Sequence, residues 1–220
     1  MGETATLSYT ERGRLEKAVV GDVTILAGAG RDGASLRFTE ADVPFLEVRA
    51  TSVDDEQGSI ARTTIAAEGD GVDYRLTLDF TEEPGRALRE GKLEADVTVQ
   101  IDGDTVHHGV FDGGTWRVTG LDGVPSLQDV LIERLGTRLA PLLPTLRTVM
   151  QAHEEAGLGM TLPPDRAELE TFGWGSRFCK WYCTGAWGAT IAACCSAFPE
   201  GCVVCGITGN IAMDECKDRC

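Results

Sequence analysis

Eight cysteines carry the chemistry that can be read first, and all of them lie between Cys179 and Cys220. They are Cys179, Cys183, Cys194, Cys195, Cys202, Cys205, Cys216 and Cys220, spaced C-x3-C-x10-C-C-x6-C-x2-C-x10-C-x3-C, which is nearly a palindrome. Positions 1–178 contain none. Residues i and i+4 stack on one helix face, so Cys179 can sit above Cys183, and Cys216 above Cys220. Pro199-Glu200-Gly201 is a turn signal between the two halves. If the flanking helices run antiparallel, bridges nest: Cys179–Cys220, Cys183–Cys216, then Cys194 and Cys195 with Cys202 and Cys205 in an order the spacing leaves open. Eight cysteines allow on the order of a hundred pairings, and the mirror order favours the nested set. A unit this small buries too little surface to fold on its core alone, and bridges worth roughly 2–4 kcal/mol each are expected to staple it. Two other chemistries compete. Eight thiolates suit two zinc sites, although the unit has no histidine and only Cys202-Val-Val-Cys205 has knuckle spacing. The same C-x2-C is also a thiol-redox spacing, but it normally opens a helix of a larger α/β domain.

The cysteine-rich unit differs from the rest of the chain in charge. The 220 residues carry a net charge of −15. From Trp174 onward four basic residues (Arg177, Lys180, Lys217, Arg219) balance four acidic ones (Glu200, Asp214, Glu215, Asp218), so all the excess acidity lies upstream. Phosphate repels such a body, and no nucleic-acid partner is expected. Three of the four tryptophans, Trp174, Trp181 and Trp187, fall in the neutral unit, with Phe178, Tyr182 and Phe198. Trp174, Trp181, Trp187 and Phe198 flank or interrupt an apolar, small-residue run, a pattern suited to a membrane surface or a hydrophobic target. The competing expectation is that these aromatics pack around the bridges.

The elements that must position this unit fall into two stretches. Residues 1–120 alternate apolar and polar side chains with period two, as half-exposed antiparallel strands do. The clearest runs are Val72–Phe80 and Leu93–Ile101; others are Ala5–Tyr9, Ala18–Leu26, Ser35–Phe38, Phe45–Ala50, Ile60–Ala66, Thr105–Val110 and Thr115–Val118. Asp102-Gly103 predicts a hairpin turn. A meander, sandwich or partly closed barrel is expected. Leu127, Val130, Leu131, Leu135, Leu139, Leu146, Val149 and Met150 then recur at helical spacing and predict a helix over 126–156, kinked or split at Pro141 and Pro144. That helix is expected to cover the open face of the sheet. The fold class is α+β: a β-rich carrier or immunity-like domain over 1–157, a linker over 158–173 stiffened by Pro163-Pro164, and a disulfide-stapled helical unit over 174–220.

No catalytic grouping emerges. His107 and His108 are adjacent, so on a strand they face opposite sides and cannot grip one metal together. His153 lies on the expected helix. No phosphate-binding glycine loop, nucleophile elbow or zinc-protease motif is present. No catalytic residue, metal ligand or cofactor is assigned, and the chain is not read as an enzyme. The start of the sequence has no basic segment followed by an apolar run, so export through a recognisable signal is not visible. Disulfides need an oxidising compartment, which makes secretion after processing the expectation and a cytoplasmic protein the alternative.

The pieces Ala189-Thr-Ile-Ala-Ala-Cys-Cys-Ser-Ala197, Cys202-Val-Val-Cys-Gly-Ile-Thr-Gly209 and Ala212-Met-Asp-Glu-Cys-Lys-Asp-Arg-Cys220 resemble the halocin C8-like bacteriocins. In that family a long N-terminal segment precedes a neutral, apolar, cysteine-dense peptide. The resemblance implies a peptide released by proteolysis that acts on the membrane or surface of a competing microbe. It also implies an N-terminal segment that contacts the peptide and serves as its immunity protein. Family precursors can carry more cysteines and a twin-arginine signal, which this chain lacks. An acidic body would keep the apolar unit soluble until cleavage, with helix 126–156 as the expected cover. The alternative is an intracellular protein whose cysteine-rich end is a zinc-binding or thiol interaction module.

Overall fold

The computed structural model describes residues 4–11, 15–30, 33–56, 58–69, 71–112, 117–120, 134, 140–155, 174–197 and 202–218. The described residues form ten strands: β1 (Ala5–Tyr9), β2 (Leu15–Val20), β3 (Val23–Gly30), β4 (Gly33–Glu40), β5 (Val43–Asp54), β6 (Ile60–Gly69), β7 (Val72–Phe80), β8 (Glu94–Ile101), β9 (Asp104–Asp112) and β10 (Arg117–Gly120). Each pairs antiparallel with its chain neighbours, and sheet order is sequence order. The fold is an α+β meander with β1 and β10 at its edges.

Register explains the sheet's two faces. Ala50, Ile65, Leu76, Val99 and His107 lie side by side across β5–β9, and all five are buried. The next row, Thr51, Thr64, Thr77, Thr98 and His108, is half-buried or exposed. Period-two alternation thus puts the apolar set on one face and hydroxyls and charges on the other. On the outer face Glu47 meets Arg49 at 2.6 Å and Arg37 at 3.5 Å. The Arg49 hydrogen bond leads in holding the Glu47 carboxyl below its ordinary range, against a smaller desolvation effect. Such exposed pairs add little stability.

Turn chemistry sets the hairpins. Asp102 and Gly103 both take positive φ, +53° and +82°, as a two-residue type I′ turn requires. Ala41 and Asp42 do the same at +48° and +66°, although the alanine Cβ disfavours that region. Gly33 sits at φ +143°, and a Cβ there would run into the Ala50 carbonyl oxygen of the neighbouring strand.

Three differences from the sequence reading are local, and the expected split of the later helix is present. The run Ala18–Leu26 is two strands, because Gly21 at φ +57° turns β2 back into β3. Several strands are longer than expected, β5 reaching Asp54 and β6 Gly69. A short helix, α1 (Pro84–Glu90), was not anticipated. The Glu83 carboxylate accepts from Gly85 N at 2.9 Å and Arg86 N at 2.7 Å, Pro84 opens the helix and Gly91 closes it in a left-handed conformation. The helix expected over 126–156 is described as a 3-10 turn (Ala140–Leu142) followed by α2 (Leu143–Glu155). The prolines mark the split, Pro141 inside the turn and Pro144 in the first turn of α2. Residues 126–133, 135–139 and 156 of that expectation, the linker 158–173 and residues 113–116 lie outside the described residues.

The cover of the sheet is shared by the expected helix, which buries Leu146 and Val149 in the core, and by the cysteine-rich helices. The helix α2 touches β1 and β2, at one edge. The inner face is covered by α3 (Trp174–Ala197), which lies against β6, β7, β10 and α1, and by α4 (Cys202–Asp218), which lies against β3, β4 and β5. Buried residues of the sheet and of the cysteine-rich helices belong to one continuous core.

Two backbone positions give opposite expectations. Replacing Gly33 with alanine should lower unfolding stability by about 2–3 kcal/mol through the clash with Ala50. Replacing Ala41 with glycine should raise it by about 0.5–1 kcal/mol by relieving the left-handed alanine. Urea denaturation of both variants checks the signs.

Candidate functional site

The helices α3 and α4 form an antiparallel hairpin held by three bonds between described cysteines: Cys183–Cys216, Cys194–Cys205 and Cys195–Cys202. Their Cα separations are 5.7, 6.1 and 4.3 Å. Helical geometry accounts for the arrangement. Cys183 and Cys194 are separated by about three turns, as are Cys205 and Cys216, so each pair falls on one face. Two bonds therefore lie along one seam. Cys195 is rotated by about 100° from Cys194 and bonds Cys202 at the turn. Cys202 and Cys205, the C-x2-C pair, are bound to different partners on α3. The Cys179 side chain and Cys220 lie outside the described residues.

Small residues bring the helices close. Gly206 and Gly209 are buried inside α4, where glycine costs about 1 kcal/mol relative to alanine. A Cβ at Gly209 would strike the Ile191 side chain on α3, so the contact requires glycine. The hairpin then turns its apolar residues to the sheet. Trp187 is 1% exposed, and Ile191, Ala193, Ile207, Ile211 and Met213 are buried with it. Trp187, expected at a membrane or target, is a core side chain of the intact protein. The side chains of Trp174 and Trp181, and Phe198, lie outside the described residues.

Between described residues, a polar contact crosses from sheet to hairpin. Thr63 of β6 and Thr190 of α3 are both 0% exposed, and their Oγ1 atoms are 2.5 Å apart. The Thr190 hydroxyl donates to the Ala186 carbonyl at 2.8 Å. A hydroxyl has one proton, so Thr63 must donate to Thr190. Sequence reasoning did not single out either residue. The signals were present: Thr63 shares the apolar phase of its strand with Ile65, and Thr190 interrupts the apolar run of α3.

The histidines divide as strand alternation requires. His108 is exposed and His107 is 4% exposed. Neither ring nitrogen of His107 has a hydrogen-bond partner, and the buried Tyr74 hydroxyl lacks one too. Burial lowers the His107 pKa, with a smaller contribution from the neighbouring His108 charge. Burial pushes ionisation of Tyr74 well above its ordinary range. No orienting carboxylate bonds His107, so the triad logic of an activated base is missing around it. A cavity of about 380 Å³ lies between the sheet and Pro141–Thr145. Its walls include Phe45, Leu46 and Val72, and Glu40 is its carboxylate. No described helix is long and apolar enough to cross a membrane.

No family model matches the chain, and no solved structure matches it. The chain is similar to Large ribosomal subunit protein uL10 of Variovorax paradoxus (strain S110), 27% identical over 165 residues that span 68% of this chain and 92% of that protein. That identity assigns no family.

Two outcomes follow from the bonds and the buried ring. Replacing Cys183 and Cys216 together by serine opens the bridge with the largest described sequence separation, 33, and should lower the unfolding free energy by about 3 kcal/mol in oxidising buffer. For His107 the unfolded ring takes up its proton near the ordinary value of about 6.5, and the folded ring only at lower pH. Its contribution to stability is therefore complete above the unfolded value of about 6.5 and declines as pH falls from there toward the folded pKa. A His107→Leu variant should lose less stability than the parent between pH 7 and 5, measured by urea midpoints at each pH.

Proposed function

We propose that the chain is the precursor of a ribosomally made antimicrobial peptide of halocin-like type. The effector is the disulfide-stapled hairpin of α3 and α4, and the β-rich body is its carrier and immunity segment. One observation carries the reading: a compact, cross-linked, net-neutral hairpin seats its apolar face on the inner face of a strongly acidic cysteine-free sheet. Every described bond of the hairpin is internal to it, and the body contains no cysteine. Cutting the chain within 158–173 would therefore leave no covalent link to the body. The released hairpin would expose Trp187, Ile191, Ile207 and Ile211, a surface suited to a membrane or an apolar target. Action by contact rather than catalysis fits this surface, and secretion after processing fits the disulfides. The likeness to a large ribosomal subunit protein supports no second reading, because a body carrying the full excess of negative charge is repelled by phosphate.

The test compares the oxidised intact chain with oxidised 174–220 in growth inhibition of related microbes. The hairpin should inhibit growth and the intact chain should not. Equal potency overturns masking, and an inert hairpin overturns the effector role.

A further inference from the structure

The sheet-to-hairpin layer is mostly apolar, and Thr63 with Thr190 is a side-chain hydrogen bond between described residues that joins the sheet to the hairpin. The Thr63 hydroxyl has no water to turn to, since the residue is 0% exposed. Its proton needs an acceptor, and Thr190 supplies one at 2.5 Å. The dependence is one-sided. Thr190 keeps its own donation to the Ala186 carbonyl whether or not Thr63 is present. Thr63, without Thr190, has a buried donor with nothing to bond, which is the expensive way to break a hydrogen bond. Replacing both partners by apolar groups of the same shape removes that cost.

We propose that Thr63 is a specificity-determining residue of the body. It accepts a helical hairpin that presents a hydroxyl at the position of Thr190 and discriminates against a hairpin of the same shape that presents a methyl group there. The partner class is a stapled helical hairpin with Thr or Ser facing β6. The apolar contacts supply adhesion that many such hairpins share. The buried Thr63 donor supplies rejection of those without the acceptor, because an unmatched polar group discriminates more strongly than a missing methyl. Its place in the sheet also fixes the seat of α3: sliding the helix by one residue moves Thr190 by about 1.5 Å and 100° and breaks the bond. This inference rests on the reading that the hairpin and the body separate after cleavage.

The full chain, with a protease site placed in 158–173, tests it in four variants: Thr63→Val, Thr190→Val, the double variant, and Thr190→Ser. Two quantities are read: the unfolding constant of the uncut chain and the dissociation rate of the hairpin after the cut. Thr190→Val should shift both by about 5- to 150-fold toward the separated state. Thr63→Val, which strands no donor, should shift them by only about 2- to 10-fold. The double variant should return to the level of Thr63→Val, and Thr190→Ser should stay closer to the parent than Thr190→Val does. Circular dichroism of each uncut variant checks that the helices have formed. A double variant that equals the product of the two single effects overturns the inference, and so does a Thr63→Val as damaging as Thr190→Val. Killing is not read in this experiment, so failure of the antimicrobial reading and failure of this contact are distinguishable.

Discussion

The structure depends on covering one face of an open sheet. Ten strands in sequence order give a layer whose inner rows are largely apolar from β2 to β9. Water cannot be left on that face at such a size. The outer face has no such need, because its rows carry threonines and paired charges such as Arg62 with Asp79. The long helix nearest in sequence packs mainly on the edge at β1 and β2 and also touches α4. The hairpin of α3 and α4 meets the requirement, and its burial is as much a condition of the body's fold as of its own.

That shared core changes the meaning of the disulfides. They are internal to the hairpin, so they do not tie it to the sheet. They hold together two helices whose glycines and alanines pack closely but contribute little side-chain area of their own. With Gly209 against Ile191 and three bonds along and beside one seam, the hairpin is a block that presents a preset surface. A preset surface can dock without a large ordering cost, and can be handed from one apolar partner to another with its shape retained. The proposed antimicrobial role uses this property: the face that satisfies the sheet is the face that would meet a target.

Much of the architecture was legible in the chain. Val72–Phe80 has a complete period-two pattern, and its strand bounds follow from that pattern alone. Asp102-Gly103 announces its turn because few residues tolerate two positive φ values in succession. The 11-residue steps from Cys183 to Cys194 and from Cys205 to Cys216 are three helical turns, so the seam is contained in the spacing. Other features were masked by competing signals. Apolar residues on both sides of Gly21 made β2 and β3 read as one strand. The short α1 depends on the Glu83 cap, which propensity over seven residues does not reveal. The helical periodicity after residue 126 suggested a cover for the sheet, but periodicity identifies a face without naming what that face meets.

By itself, the sequence determined the strand alternation, the acidic body and neutral end, and the mirror-ordered cysteines. Each is a property of local spacing or composition, because backbone periodicity and charge act within a segment. Tertiary structure decided which element covers the sheet, that Trp187 is core in the intact chain, and that Thr63 meets Thr190 across 127 residues. Those outcomes follow from shape and hydrogen-bond matching between distant surfaces. A threonine on an apolar strand phase and another in an apolar helix each look like a defect alone; Thr190 bonds within its own helix, and Thr63 finds its acceptor in their juxtaposition.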